Sequence, residues 1–219
     1  MNKEENKVLI ITGGHIELEL IRELMEQESF TMIIAVDHGL LAVDQLGITP
    51  DYIVGDFDSV PEELLAKYRD SKALTLTFPR EKDKTDTEIA IEHALSHKAT
   101  SLIIIGATGS RLDHTMANLH LLLLPMERKV DACIIDRNNK IYLKQESFVI
   151  EKQKQHGDYV SLLPFSEVVD GLSLMGFQYP LNRIRLTAGS SLGISNEIIM
   201  DIGRVEFTKG ILLVIEARD

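Results

Sequence analysis

Short apolar runs alternate with amphipathic segments through the first part of the chain. Runs such as Lys7–Thr12, Thr31–Val36 and Leu102–Ile105 are typical of buried strands, and Ile16–Gln27 carries its apolar residues at helical spacing. This repeated order of strand and helix predicts an α/β fold, in which helices cover both faces of a parallel sheet. The other strands are predicted at Tyr52–Val54, Ala73–Phe78 and Val130–Ile135, and the other helices at Leu40–Leu46, Pro61–Arg69, Thr85–His97 and Asp113–Leu124.

The pattern changes after about Asn139. Asn138-Asn139 is a turn signal, and the rest of the chain has short strand-like runs punctuated by Gly and Pro, with no clear amphipathic helix. Lys209-Gly210 is typical of a hairpin turn between the last two runs. We therefore predict an α/β domain over 1–138 and a small antiparallel β-sandwich or open barrel over 139–219. Its strands are predicted at Ile141–Lys144, Phe148–Ile150, Tyr159–Leu163, Leu172–Met175, Ile184–Leu186, Glu197–Asp201, Arg204–Thr208 and Ile211–Glu216.

The composition is that of an ordinary globular protein with an acidic surface. Hydrophobic residues make up 44% of the chain and charged residues 26%, which excludes a disordered chain, a collagen and a coiled-coil rod. The formal net charge of -11 opposes binding along nucleic acid, whose phosphates need positive partners. An acidic surface favours a cationic small molecule or a divalent metal, although solubility alone also explains such a charge.

We expect neither a membrane span nor a secretion signal. No apolar run approaches the ~20 residues needed to cross a bilayer, and the first apolar run is not followed by a small-residue cleavage site. Cys133 is the only cysteine, so an intrachain disulfide is impossible, and it is expected to lie in the core. We expect a cytoplasmic protein without membrane contact.

Polar clusters follow the predicted strands at their carboxyl ends, where ligands bind in sheets of this kind. Asp56 and Asp58 lie two residues apart in an extended segment, so both carboxylates should leave the same side of the backbone. A hard cation between them, Mg²⁺ above all, would offset their repulsion. Alternatively, Ser59 and Glu62 form a capping box, which leaves Asp56 unexplained.

Asp83 and Asp86 open the next predicted helix three residues apart. A capping box made by Thr85 and Glu88 is the competing interpretation of this segment. Positive side chains stand close by in the sequence, as a polyphosphate ligand would require; they are Arg80, Lys82 and Lys84.

Two further segments are candidates. Gly106–Asp113 joins a strand to a helix through two glycines, and its backbone N–H groups could hold phosphate oxygens, although it lacks the P-loop pattern. The alternative makes Asp113 a first-turn acid and Asn118 a solvated helix position. Thr187–Glu197 is either a plain loop or a polar wall for a heteroaromatic ligand, with Ser195 and Asn196 as hydrogen-bonding groups.

Together these clusters resemble the thiamine pyrophosphokinase (thiamine diphosphokinase) family. The family's D-G-G appears as Asp37-His38-Gly39, and Ser110 replaces a family glycine. The resemblance spans nearly the whole chain. The matching stretches are PDYIVGDFDSV at 50–60, EKDKTDTEIAIEHAL at 81–95, IIGATGSRLDHTMANLHLL at 104–122, LTAGSSLGISNE at 186–197 and GRVEFTKGILLVIEARD at 203–219.

The resemblance implies transfer of a pyrophosphoryl group from ATP to the hydroxyl of thiamine, in a homodimer whose active sites are shared between subunits. It implies Mg²⁺ on Asp56 and Asp58, with Asp83 or Asp86, and the catalytic set adds Asp113. The proton acceptor stays open among these carboxylates. Asp86, Asp113, Ser195 and Asn196 would contact thiamine, and the candidates for ATP contacts are Arg80, Lys82, Lys84, Thr85, Thr108 and Arg111.

Two other functions remain open on the same residues. One is a non-catalytic sensor of thiamine or a nucleotide, and the other is a Mg²⁺-dependent phosphohydrolase. The candidate carboxylates are all present in the sequence, which favours an enzyme over a sensor.

Overall fold

A computed structural model describes residues 5–55, 60–69, 74–77 and 83–219. The chain forms two compact units, of which the first ends at Arg137 and the second begins at Asn138.

The first unit contains a parallel sheet with the strand order β6-β5-β1-β2-β3-β4. From β1 the chain moves outward through β2, β3 and β4, whereas β5 leads to β6 on the other side. The order therefore reverses between β1 and β5, and such a switch point opens a crevice at the carboxyl ends of the strands. The strands are β1 (Lys7–Ile11), β2 (Met32–Val36), β3 (Tyr52–Gly55), β4 (Leu74–Thr77), β5 (Ser101–Ile105) and β6 (Asp131–Ile135).

Helices cover both faces of this sheet, as predicted. Leu9 and Ile10 point to opposite faces of β1, yet neither has any exposed surface. Leu9 shares one apolar core with Ile21 and Leu40, each of which lies on a helix. Ile91, on a third helix, is also fully buried but does not belong to that core. The helices are α1 (Leu18–Gln27), α2 (Gly39–Gln45), α3 (Glu62–Arg69), α4 (Asp86–Ser96), α5 (Leu112–Leu121) and α6 (Leu123–Glu127).

The helix predicted over Asp113–Leu124 is present as α5, but it ends at Leu121, and a second helix, α6, begins at Leu123. Pro125 lies in the first turn of α6 and has no N–H group with which to bond the carbonyl of Leu121. The α-helical ladder is therefore interrupted at Leu122. Cys133, expected in the core, packs partly buried against the apolar cluster of this unit.

The second unit is an antiparallel β-sandwich, which confirms the predicted class. One sheet has the order β12-β9-β14-β7 and the other β11-β10-β13-β8. Both contribute to one apolar core, for example through Val214 and Val205. The strands are β7 (Asn139–Lys144), β8 (Phe148–Glu151), β9 (Tyr159–Pro164), β10 (Val168–Met175), β11 (Leu181–Thr187), β12 (Asn196–Glu197), β13 (Ile202–Glu206) and β14 (Leu212–Ala217), and Lys152–Lys154 form a 3₁₀ turn.

The predicted hairpin at Lys209-Gly210 is wrong. The strand before it, β13, pairs with β10 and β8, whereas β14 pairs with β7 and β9 in the other sheet. The connection therefore carries the chain across the sandwich. Lys209 forms an isolated bridge with Asp170, and Gly210 has a φ of 106°, so this crossing needs a left-handed residue as a hairpin would.

None of the helices in the described ranges is long and apolar enough to span a membrane.

Candidate functional site

The loops after β1 and β5 are joined by backbone hydrogen bonds at the switch point. Thr12 N–H donates to the Ile105 carbonyl at 2.8 Å, and Gly14 N–H donates to the Gly106 carbonyl at 2.7 Å. A further bond of 2.8 Å runs from His15 N–H to the Thr108 carbonyl. The loop after β1 thus holds the first part of the predicted phosphate loop, Gly106–Thr108.

Glycines make this close approach possible. A Cβ at Gly14 would lie 2.3 Å from the carbonyl oxygens of Gly106 and Thr108, and one at Gly106 would lie 2.2 Å from the carbonyl oxygen of Thr12. Gly106 also has a φ of 73°, where a side chain is strained. Packing between the two loops therefore already requires glycine at these positions, whether or not they contact a phosphate.

Side chains also hold the same loop. Thr108 Oγ1 donates to Asp136 Oδ2 at 2.9 Å, and Asn118 Nδ2 donates to the Ala107 carbonyl at 2.8 Å. Asn118, for which solvation was the competing interpretation, is thus a loop support. The sequence reasoning missed Asp136, although it directly follows β6 and the rule about carboxyl ends of strands applies to it.

The loop ends in a bidentate ion pair. Arg111 Nη2 donates to Asp113 Oδ2 at 2.6 Å and Arg111 Nε to Asp113 Oδ1 at 3.2 Å, and the His114 N–H also donates to Oδ1. The hydrogen bond from Arg111, followed by that from His114, lowers the pKa of Asp113 to about 2. In this state Asp113 is a carboxylate with little tendency to accept a proton.

The first turn of α4 is capped as the sequence suggested. Thr85 Oγ1 accepts a hydrogen bond from the Glu88 N–H at 3.2 Å, so the capping interpretation holds for Thr85. Asp86 is half-buried in this turn and Asp83 is exposed. Lys84 extends along the helix to Glu92, 2.6 Å away, and this hydrogen bond raises the pKa of Lys84.

Buried hydroxyls connect that turn to the switch point. Thr12 Oγ1 and Thr87 Oγ1 are 3.0 Å apart and form a hydrogen bond. The sequence reasoning missed both residues, because nothing local marks two threonines far apart in the chain as neighbours. Their contact brings the α4 turn that bears Asp86 to the loop after β1.

The turn after β2 also belongs to this edge of the sheet. Asp37 has a φ of 47°, its N–H donates to the Val54 carbonyl at 3.0 Å, and its side chain is half-buried. A Cβ at Gly39 would lie 2.0 Å from the Ile11 carbonyl oxygen, so close packing of α2 on β1 requires glycine there.

Four predicted site residues lie outside the described residues, and they are Asp56, Asp58, Arg80 and Lys82. Within the described ranges, no group of three His, Cys, Asp or Glu side chains could hold a metal ion. Asp83 and Asp86 nevertheless supply carboxylate oxygens, the ligands that a hard divalent cation takes, so the donor chemistry fits such an ion.

The polar segment of the second unit is anchored along β9. Ser195 has a φ of 53°, its N–H donates to Ser161 Oγ at 3.0 Å, and its side chain is exposed. Asn196 is only 5% exposed. Its Oδ1 accepts from the N–H groups of Tyr179 and Glu197, and its Nδ2 donates to the Tyr179 carbonyl. Asn196 therefore supports the backbone, whereas Ser195 faces outward.

Known proteins match this chain over both units. The model for the catalytic domain of thiamin pyrophosphokinase matches residues 22–134, and the model for its vitamin B1 binding domain matches residues 147–212. Thiamine pyrophosphokinase from Bacillus subtilis is 36% identical over 212 residues, which cover 96% of this chain and 98% of that protein.

Solved structures match it over the same length. A crystal structure of the Bacillus subtilis protein superposes with a TM-score of 0.87 at 34% identity and covers 98% of this chain and 100% of that one. The thiamin pyrophosphokinase of Geobacillus thermodenitrificans gives 0.83 at 34% identity, with 97% and 98% covered. The likeness is therefore one of sequence and fold together, and the chain belongs to the thiamine pyrophosphokinase family.

Proposed function

We propose that this protein is a thiamine diphosphokinase, which transfers a pyrophosphoryl group from ATP to thiamine. The hydroxyl oxygen of thiamine forms a bond to the β-phosphorus of ATP, and the bond between that phosphorus and the oxygen bridging it to the α-phosphorus breaks. AMP leaves with the bridging oxygen, and the hydroxyl proton passes to a carboxylate of the protein. The products are thiamine diphosphate and AMP.

The observation that carries the proposal is the joining of three polar elements at one switch point. The Thr12–Thr87 hydrogen bond brings the acidic first turn of α4 to the loop after β1, and backbone hydrogen bonds tie that loop to Gly106–Thr108. Carboxylates and a glycine loop at the carboxyl edge of a parallel sheet suit a ligand that carries phosphates and cations.

We assign the metal as Mg²⁺ and its ligands as Asp56 and Asp58 together with Asp83 or Asp86. When bound, the ion neutralises charge on the triphosphate. The protein's own part would be to present carboxylate oxygens to it, and Asp86 would do so from a helix turn that Thr85 caps.

The basic side chains would contact the phosphates by exchanging partners. Arg111 is bound to Asp113 and Lys84 to Glu92, and in both pairs the side chains are well exposed, so either cation can turn to a phosphate at small cost. Arg80, Lys82 and Thr85 complete the proposed set. The Thr108 hydroxyl already donates to Asp136, so we assign Thr108 a role through its loop backbone.

The proton acceptor stays open among the proposed carboxylates. The ion pair with Arg111 holds the pKa of Asp113 near 2, which makes it a poor base at neutral pH until Arg111 turns to a phosphate. Asp86 is half-buried in the first turn of α4. Asp113 would help to hold the cationic thiamine, whose charge it complements.

The second unit would contribute the thiamine wall. Ser195 is exposed and is the member of the predicted pair that can reach a ligand, whereas Asn196 would act by holding the segment in place. The cytoplasm is the proposed compartment, on the basis of a single cysteine.

A homodimer with shared active sites is the proposed assembly. The outer face of one sheet in the second unit exposes apolar side chains, with Met175 and Val149 on either side of Arg204 in the strand register and Ile202 nearby. A second copy of the chain would cover this face. The net charge of -11 argues against nucleic acid as a partner.

Product analysis tests the function. The purified protein is incubated with ATP, Mg²⁺ and thiamine, and the products are identified by mass. Thiamine diphosphate with AMP supports the proposal. Release of phosphate without thiamine diphosphate would make the protein a phosphohydrolase, and binding without turnover would make it a sensor.

Mixing two impaired variants at low thiamine concentration tests the shared site. Asp56→Asn and Ser195→Ala with Asn196→Ala disable different parts of the proposed site, so a mixed dimer would regain one intact site. After random subunit exchange half of the dimers are mixed, so the activity should recover toward an average of half of one site per dimer. A tagged pull-down establishes independently that the subunits exchange. Proven exchange without recovered activity would refute the shared site.

A further inference from the structure

A pair of buried threonines links two parts of the switch point that carry different chemistry. Thr12 and Thr87 are 6% and 7% exposed, and their hydroxyl oxygens are 3.0 Å apart. Ile10, two residues before Thr12, and Ile91, four residues after Thr87, are fully buried, so the two hydroxyls have apolar neighbours on their own faces of β1 and α4. Nothing in simple burial requires two hydroxyls there, since an apolar pair of matched shape fills such a space equally well. The hydroxyls add direction, because a hydrogen bond fixes both distance and angle.

Thr87 lies in the first turn of α4, directly after Asp86 and two residues after the capping Thr85. This turn forms the start of a rigid helix, so any displacement of Thr87 also displaces the carboxylate beside it. The hydrogen bond of the Thr87 hydroxyl therefore constrains the position of the Asp86 carboxylate.

Thr12 is fixed from its other side. Its N–H donates to the Ile105 carbonyl at 2.8 Å, and its carbonyl oxygen lies against Gly106, where an added Cβ would be only 2.2 Å away. The backbone of Thr12 is thus held against the end of β5 and the start of the Gly106–Thr108 loop, and its side chain bonds α4 through Thr87.

We propose that the Thr12–Thr87 hydrogen bond is a positioning element, which sets the distance between the carboxylates of α4 and the Gly106–Thr108 loop. The inference rests on the proposed function, because the metal and the triphosphate are what those two parts would hold together. Thr87 is a positioning residue: its hydroxyl is directed to Thr12 and acts on the substrates through the placement of Asp86.

The test compares four variants with the wild type. Thr87→Val removes the hydroxyl, and Thr87→Ser keeps it. In Thr12→Ala with Thr87→Val no hydroxyl is left unpaired, and the alanine makes room for the added methyl, since carbon atoms pack at roughly 3.5–4.0 Å. Thr100→Val is the matched control. Thr100 precedes the first residue of β5, at the end of the strand away from the proposed site, and its Oγ1 accepts a hydrogen bond from the Asn6 N–H at 2.9 Å.

The measurements are kcat, the affinity for Mg²⁺·ATP by calorimetry, and the melting temperature. Loss of one buried hydrogen bond should lower kcat and the affinity about five-fold in Thr87→Val, with Thr87→Ser within about two-fold of the wild type. The double variant should melt near the wild type and keep the defects in kcat and affinity. Thr100→Val should lower the melting temperature and leave both functional values unchanged.

The double variant decides the outcome. Wild-type kcat and Mg²⁺·ATP affinity in that variant would overturn the inference, because the hydroxyls would then serve stability alone. If Thr87→Val fails to fold, Thr87→Ala replaces it. If the wild type binds Mg²⁺·ATP but forms no thiamine diphosphate, the proposed function fails, and the affinities alone judge the threonine pair. If the wild type does not bind Mg²⁺·ATP, both the proposed function and the inference about the threonine pair are refuted.

Discussion

Replacement of Asn196 should affect stability before it affects any ligand. The amide makes three hydrogen bonds to the backbone, two of them with Tyr179, at 2.8–3.0 Å, while the residue is 5% exposed. Each such bond contributes about 0.5–1.5 kcal/mol net, and the backbone of the exposed Tyr179 segment can partly rehydrate. We therefore expect Asn196→Ala to lose about 2 kcal/mol.

The assay is thermal unfolding without any ligand. A loss of about 2 kcal/mol corresponds to a fall of roughly 4–8 °C for a chain of this size. Ser195→Ala, at an exposed neighbour, should shift the transition by about 1 °C or less, and Asn182→Ala, at an exposed position in β11, is the matched control for loss of an asparagine.

The two neighbours should separate in steady-state kinetics as well. Ser195→Ala should raise KM for thiamine with KM for ATP unchanged, because only its side chain faces outward. An Asn196→Ala protein that melts with the wild type but has a raised KM for thiamine would refute the reasoning, since the amide would then contact the ligand.

The remaining predictions concern the carboxylates, a half-buried histidine and the glycine loop. Asp56→Asn or Asp58→Asn should lower turnover at least about 100-fold with an unchanged circular dichroism spectrum, and full activity of both at limiting Mg²⁺ would end the metal assignment. Burial, then the charge of a neighbouring histidine, lowers the pKa of His93 below its usual 6.5, so the unfolded chain binds the proton more tightly and stability should fall as the pH drops through about 6.5; His93→Gln should flatten that part of the melting curve against pH. Gly106→Ala should lose about 3 kcal/mol and slow turnover because it adds a backbone clash to positive-φ strain, whereas Gly47→Ala, with a φ of 66° and open space, should lose only about 1 kcal/mol and keep its activity.

The sequence predicted best what is local. The cap at Thr85 depends on residues three apart, and the burial of β1 on both faces is visible as an unbroken apolar run. Helix α5 ends earlier than predicted because Pro125 cannot donate a backbone hydrogen bond. The proline is visible in the sequence, but the apolar residues that continue up to it favour a longer helix.

What the sequence could not predict depends on partners distant along the chain. Lys209-Gly210 has the composition of a hairpin turn, and only the pairing of β13 and β14 with other strands shows that it is not one. Asn196 is polar in a polar segment, so burial against Tyr179 leaves no local trace. The same holds for the contact of Thr12 with Thr87.

The position of β14 has a consequence for synthesis on the ribosome. This strand, late in the chain, lies between β7 and β9, so neither can complete its pairing in that sheet until β14 has been made. The parallel sheet of the first unit is complete once β6 has emerged. The nascent chain therefore carries a finished first unit, while β7 and β9 each lack one partner strand until β14 has been made, and chaperones have that interval in which to bind them.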